Sequence, residues 1–239
     1  MMMKILTTNS KIAIIITAAG SSTRMGGSKK EYLSFKNGTV LSSCAKIFLE
    51  TCEQDFEITD FIITCPKNKK TECENALFCE KVLLKMKNTF TIVEGGNTRQ
   101  ESVFCALKNV KNSPEIVLIH DGARPFVTKK IILDGIKNAF LFQAAVPAIT
   151  PTDTQKRIDK NGFIIEHLER NFLASVQTPQ CFNFEKLFSA HKKVAEEKLD
   201  FTDDTAIWGK IYPEIPVKTY EGDVKNIKIT YSQDLLNFK

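Results

Sequence analysis

Phosphate-binding chemistry is concentrated in a few short segments of the 239-residue chain, beginning with Ile12 to Leu33. An apolar run, Ile12 to Ile16, leads into Ala18, Ala19 and Gly20, then Ser21, Ser22 and Thr23, with cations at Arg24, Lys29 and Lys30. A strand feeding a small-residue loop with free N–H groups and nearby cations is suited to holding phosphate. No Gly-Lys-Ser/Thr closes the loop as in a Walker motif, and the glycine spacing of a dinucleotide fingerprint is missing. Alone, the stretch also reads as an ordinary glycine turn.

Four further segments carry candidate chemistry. Gly95-Gly96-Asn97-Thr98-Arg99-Gln100-Glu101-Ser102 places two glycines between a strand and a helix, where backbone and the Ser102 hydroxyl could read the edge of a base. The plainer reading is a turn with a surface Arg99. His120-Asp121-Gly122-Ala123-Arg124-Pro125 ends a buried strand, with Asp121 suited to a divalent metal and Arg124 to a phosphate. The two side chains could equally pair only with each other, and His120 reads as a structural hydrogen-bonding residue. Thr202-Asp203-Asp204 reads first as a helix N-cap. Gly222-Asp223 through Lys228 to Thr230 offers a second acid and a cation on an expected strand.

The intervening chain supplies the elements that position these groups. Strands are expected near 12–16, 61–65, 90–93, 116–119 and 144–149, and later at 217–220 and 227–229. Helical spacing of apolar residues predicts helices over 40–52, 98–110, 129–142, 184–198 and 205–210, with helix and surface connection between 67 and 84. A terminal helix is expected after Ser232 as cap. This alternation predicts an α/β fold with a doubly wound, mostly parallel Rossmann-like sheet. Ligands then belong beyond the carboxyl ends of the strands. The alternation breaks at about 151–175, where Asn161-Gly162 marks a hairpin carrying exposed apolar residues. That segment reads as a projecting β-arm on a single domain spanning 1–239, with residues 1–11 as a frayed tail.

Composition narrows the classes. Hydrophobic content of 43% and charged content of 26% are ordinary for a globular protein, and the net charge of +5 is spread along the chain. A nucleic-acid partner would call for a basic stripe, so none is expected. No run reaches the length of a membrane helix, so no membrane partner is expected either. The seven cysteines form no C-x-x-C pair and the histidines number three, which gives no zinc pattern and suits reduced thiols in a cytoplasmic protein.

Taken in order, these motifs resemble those of the 2-C-methyl-D-erythritol 4-phosphate cytidylyltransferases. The matching elements are Ala18-Ala19-Gly20 with Arg24-Met25-Gly26 and Lys30; Gly95-Gly96 with Arg99 and Ser102-Val103; and His120 through Pro125. Asp153-Thr154 with Lys156, Arg170, Thr178-Pro179-Gln180, Thr202-Asp203-Asp204, and Gly222-Asp223 with Asn226 through Thr230 complete the set. The resemblance implies transfer of a cytidylyl group from CTP to methylerythritol phosphate, with pyrophosphate released and Mg²⁺ as cofactor. It implies Arg24, Lys30 and Lys228 as catalytic cations around the triphosphate, and Ala18, Ala19, Gly20, Gly96, Asn97 and Ser102 around the cytidine. Asp121, Arg124, Thr154, Arg170 and Thr202 are implied for the sugar-alcohol phosphate, with Asp121 and Asp223 for the metal. It also implies a homodimer in which the arm brings Thr154 and Arg170 to the partner's site.

Lys29 and Lys30 compete for the loop-lysine position, and the spacing to Tyr32-Leu33 favours Lys30. Ser22 stands where the family loop often has glycine. A pentitol-phosphate cytidylyltransferase, acting on ribitol or ribulose 5-phosphate, is the nearest rival reading. A non-catalytic nucleotide-binding protein of the same fold is a second, opposed by the joint presence of Lys30, Asp121, Asp223 and Lys228.

Overall fold

A computed structural model describes residues 10–20, 29–231 and 233–236, and the architecture below is that of those residues. In chain order, β1 (Ser10–Thr17) is followed by a small hairpin, β2 (Ser34–Phe35) and β3 (Gly38–Thr39), then α1 (Val40–Cys52) and β4 (Phe56–Cys65). Next come α2 (Lys70–Leu77), α3 (Lys81–Lys85), β5 (Phe90–Glu94), α4 (Arg99–Leu107) and β6 (Ile116–Asp121). The second half contains α5 (Lys129–Phe142), β7 (Ala144–Ile149), β8 (Lys156–Ile158), β9 (Ile164–His167), β10 (Ser175–Val176) and β11 (Gln180–Asn183). It ends with α6 (Phe184–Glu196), α7 (Asp204–Ile211), β12 (Lys218–Glu221) and α8 (Gln233–Leu236).

β1 forms the middle of the main sheet, paired in parallel with β4 on one side and β6 on the other, and β5 extends the parallel run beyond β4. Residues 12 to 16 of β1 are wholly buried because both faces of the sheet are covered, which is why the run is apolar without alternation. Ile12, Ile14 and Ile16 join one core with Leu41, Phe48, Ile132 and Ile136 of α1 and α5. Ala13 and Ile15 face the opposite core, with Val103 and Leu107 of α4, Leu187 of α6 and Trp208 of α7. Side chains of a strand alternate between faces, so one strand nucleates both layers. Helices α4, α5 and α7 each start on a side-chain cap: Thr98 accepts from the Glu101 N–H, Thr128 from Ile131 and Asp203 from Ala206.

The sheet departs from a simple doubly wound order at one place. β11 runs antiparallel between β6 and β7, and the sequence pattern did not mark it as a strand. Its two fully buried residues, Cys181 and Phe182, are too short a run to stand out. β7 carries β10 and β11 along one edge and β12, in parallel, along the other. The strand expected at 227–229 does not form. That segment is irregular, tied by the Ile229 N–H to the Ala123 carbonyl at 2.8 Å and by the buried Asn226 side chain to the Thr178 carbonyl at 3.0 Å. Residues 10 and 11 belong to β1 rather than to a tail, while residues 1–9 and the expected cap Ser232 lie outside the described residues.

The hairpin at 151–175 is present as a separate two-stranded sheet of β8 and β9. Gly162 takes a left-handed φ of +88°, and the Asp159 carboxylate accepts from the N–H groups of Asn161 and Phe163 at 2.9 Å. Phe163 is 69% exposed and Phe172, just after the hairpin, 84%. All seven cysteines are unpaired, and five of them are buried. Burial pushes the Cys52 and Cys73 thiols up to about 12. No helix among the described residues is long and apolar enough to cross a membrane.

His120 ties β6 to the chain entering β11. Thr178 Oγ1 accepts from the Asp121 N–H at 3.1 Å, so its own proton is free for His120 Nδ1 at 2.9 Å. Nε2 faces the Arg124 carbonyl at 3.1 Å, which can only accept, so the ring is neutral with its proton on Nε2. Burial holds the imidazole down at about 4. Because the folded value lies below the unfolded one, the unfolded chain takes up the proton first as pH falls. The neutral ring therefore contributes about 3 kcal/mol above roughly pH 6.5 that disappears as the pH drops towards 4. Urea unfolding at stepped pH should show stability declining through this window. His120→Gln should flatten the slope, and an unchanged slope would contradict the role given to this ring.

Candidate active site

The carboxyl ends of β1, β4, β5 and β6 open onto one cleft of about 520 Å³. Ala19 and Gly20 form one wall, Pro66 and Lys67 follow β4, Gly96, Asn97 and Thr98 follow β5, and Asp121 and Ala123 come from the end of β6. Lys30, Lys228 and Thr230 close the remaining side. The β1 and β5 loops meet because Gly95 has no side chain: a Cβ there would collide with Ala19 Cβ and Ser102 Oγ. Gly95 N–H donates to the Cys65 carbonyl at 2.8 Å, and Ala18, buried beneath the cleft, donates its N–H to Thr64 Oγ1 at 3.1 Å. Ser102 Oγ accepts from the Gly96 N–H at 3.1 Å and donates to the Thr98 carbonyl at 2.8 Å. Its hydroxyl braces the loop from within while the residue lines the cleft.

Asp121 is the electrostatic centre. Its Oδ1 accepts from Arg99 Nε at 3.3 Å, and its Oδ2 lies 3.4 Å from Arg124 Nε and 3.0 Å from Lys228 Nζ. Burial pushes the carboxyl up, but Arg99, Lys228 and Arg124 outweigh it and hold the group well below the usual carboxylate range. Arg99 also donates from Nη1 to Asp204 Oδ2 at 2.7 Å, and Asp204 Oδ1 accepts from His191 Nε2 at 2.9 Å. Burial would lower the Arg99 guanidinium, yet its two carboxylates hold it above its ordinary value. Three cations thus face two buried carboxylates, leaving excess positive charge at the cleft floor.

The two loop lysines are distinguished by their partners. Lys29 Nζ donates to the Gly20 carbonyl and pairs with Glu31 at 3.3 Å. Lys30 instead lines the cleft. Ala19, Gly20, Gly96, Asn97, Ser102, Asp121 and Lys228 line it as well, whereas Arg124 stands behind Asp121, its Nη1 donating to the Asn226 carbonyl at 2.7 Å. Arg24 lies outside the described residues. Thr202, Thr154 and Arg170 are exposed and do not line this cleft, and Arg170 Nη1 donates to the Thr152 carbonyl at 2.8 Å. Lys228 reaches the site from an irregular segment, not from the expected strand.

Arg99 is no surface residue, and Asp204 and His191 behind it were not foreseen as site residues. Two acids distant in sequence share it, a relation that local spacing does not carry. Lys67 also lines the cleft unannounced, since it sits in a polar stretch that reads as surface connection. Asp223 Oδ1 accepts from the Lys225 N–H at 2.8 Å, and the residue is not part of the cleft wall. Among the described residues no three His, Cys, Asp or Glu side chains converge on a metal position. Mg²⁺ bound with a nucleotide needs only one or two carboxylates besides phosphate oxygens, and the ionised Asp121 meets that requirement.

Comparison with known proteins gives a consistent assignment. The family model described as 2-C-methyl-D-erythritol 4-phosphate cytidylyltransferase matches residues 12–238. The protein of that name from Clostridium novyi is 40% identical over 229 residues, covering 95% of this chain and 94% of its own. The one from Clostridium beijerinckii is 38% identical over 226 residues, covering 94% and 95%. The 4-diphosphocytidyl-2C-methyl-D-erythritol synthase structure from Anaerococcus prevotii superposes with a TM-score of 0.81 at 28% identity, over 95% of this chain and 94% of that one. With its cleft at the carboxyl ends of parallel strands, its glycine loops and its cation-ringed aspartate, the chain belongs to the 2-C-methyl-D-erythritol 4-phosphate cytidylyltransferase family.

Proposed function

We propose that this chain transfers the cytidylyl group of CTP to 2-C-methyl-D-erythritol 4-phosphate, giving CDP-methylerythritol and pyrophosphate in the non-mevalonate route to isoprenoids. The observation that carries the reading is the convergence of Lys30, Lys228 and Arg99 with the Gly20 and Gly96 loops on one cleft. An oxygen of the acceptor phosphate attacks the α-phosphorus of CTP in line. The bond from that phosphorus to the bridging oxygen breaks, and pyrophosphate leaves with the electron pair. Negative charge grows on the five-coordinate phosphorus, so the site needs fixed cations more than a base. Lys30 and Lys228 are assigned to that charge, with Arg24 as the third cation. Ala18, Ala19, Gly20, Gly96, Asn97 and Ser102 are assigned to the cytidine, at the wall where the β1 and β5 loops meet. Asp121 is assigned to the acceptor and to Mg²⁺, which when bound supplies charge neutralisation across the triphosphate. Asp223 is assigned to the metal as the second carboxylate.

Arg124, Thr154, Arg170 and Thr202 are assigned to the sugar-alcohol phosphate. Thr154 and Arg170 lie outside the cleft of their own chain, and the apolar side chains on and beside the arm are exposed, as a surface built to meet another subunit would be. A homodimer in which each arm completes the partner's site accounts for both facts. We place the single nucleotidyltransferase domain in the cytoplasm, a reading supported by its unpaired thiols.

Pyrophosphate release with CTP and Mg²⁺ should be strong with methylerythritol phosphate and weak with ribitol phosphate; the reverse preference would move the chain to another pathway. Lys30→Ala and Lys228→Ala should each lower kcat by about 10²-fold or more while leaving the melting temperature within a few degrees. Near-normal turnover in both would remove these lysines from the mechanism. Mixing Arg170→Ala chains with Lys30→Ala chains should restore activity that neither parent has, because one site of each mixed dimer regains both residues. No recovery after subunit exchange would refute the shared site.

A further inference from the structure

Two glutamines hold the segment that carries Thr202 from opposite sides. Gln100, in the first turn of α4, donates from Nε2 to the Leu199 carbonyl at 2.9 Å and accepts at Oε1 from the Phe201 N–H at 2.9 Å. Gln180, the first residue of β11, donates from Nε2 to Asp203 Oδ2 at 2.9 Å and accepts at Oε1 from the Asp204 N–H at 3.1 Å. Every partner is a group that can only donate or only accept, so the orientation of both amides is determined. A neutral amide alone among side chains of this length offers a donor and an acceptor side by side. Arg99 adds a third hold through Asp204, and Asp203 caps α7 through the Ala206 N–H at 3.1 Å. Residues 199, 201, 203 and 204 are therefore anchored, and Thr202 sits exposed between the last three.

We propose that Gln100 and Gln180 are positioning residues for the acceptor, clamping residues 199–204 so that Thr202 is presented in one geometry. This inference rests on the assignment of Thr202 to the sugar-alcohol phosphate. The Gln100 side of the clamp comes from the helix turn that also carries Ser102 and follows the Gly95–Thr98 loop. The acceptor-presenting segment is thus fastened to the nucleotide loop rather than to its own helix alone. Loss of the clamp leaves Thr202 in place chemically but spreads its position, which weakens acceptor binding without touching the nucleotide wall.

The test is steady-state kinetics of the full-length chain with methylerythritol phosphate as acceptor, together with CTP binding by calorimetry. Gln100→Ala should raise the acceptor KM about tenfold, with the nucleotide Kd unchanged within about twofold. Gln100→Glu keeps an acceptor for the Phe201 N–H but turns a second one towards the Leu199 carbonyl, and should fall in between. It also serves as the second variant if the alanine chain folds poorly. The double variant Thr202→Ala/Gln100→Ala should bind acceptor no worse than Thr202→Ala alone, since the glutamine acts through the threonine. Amide exchange at Phe201 should accelerate in Gln100→Ala. An unchanged acceptor KM, an equal rise in nucleotide Kd, or additive effects in the double variant would overturn the clamp while leaving the proposed reaction standing. A wild-type chain that releases no pyrophosphate with methylerythritol phosphate would overturn the proposed reaction, and this inference with it.

Discussion

The site depends on one carboxylate at the end of a buried strand. Asp121 closes β6, where its backbone is fixed by Thr178 and its side chain meets Arg99, Arg124 and Lys228. Those cations come from three separate stretches of chain, and without a central anion their mutual repulsion would drive them apart. The same carboxylate holds all three together at the base of the cleft. Since cations outnumber carboxylates in this cluster, the floor stays electropositive after the internal pairing is satisfied. A buried ion cluster is weak evidence for stability, because desolvation offsets much of the attraction. Its position beneath an open cleft makes function the better explanation.

That anion sits where it does because two layers of helices cover one sheet. β1 sends alternate side chains to each layer, and the parallel neighbours β4, β5 and β6 bring their carboxyl ends to the same rim. Small residues at the rim let the β1 and β5 loops touch at Gly95 and Ala19. Lys29 folds back onto the Gly20 carbonyl and so stiffens the approach to the cleft, leaving its neighbour Lys30 on the wall. Opposite, the 199–204 segment is joined to α4 and β11 by side-chain amides rather than by sheet pairing.

Elements whose pattern is local were legible in the sequence. The bounds expected for α1, α5 and β7 match those observed, because each has a strong apolar stripe or run and an adjacent breaker. Of the two loop lysines, Lys30 is the one on the cleft wall. Relations between distant segments were not legible. β11 is a short strand whose existence depends on the gap between β6 and β7, and residues 227–229 look strand-like but find only one backbone bond across to Ala123. Arg99 resembled a surface cation because nothing nearby in sequence reveals Asp121 and Asp204 on either side of it. The hairpin of β8 and β9 was visible from Asn161-Gly162, a local turn signal.

The antiparallel insertion of β11 also has a bearing on how the chain acquires its shape. β1, β4, β5 and β6 occupy the first half of the sequence and can pair as soon as residue 121 is available. The outer edge of β6 then waits for residues 180–183, some sixty positions later, before its hydrogen bonds are covered. During synthesis that edge is an open template on a strand that begins with four apolar residues, Ile116 to Ile119, the situation in which nascent chains cross-pair with one another. The Thr178 hydroxyl that holds the Asp121 backbone arrives with the same segment. The charge cluster waits longer still, for Asp204 and Lys228, so a chain truncated before β11 should have neither a covered β6 edge nor a complete cluster.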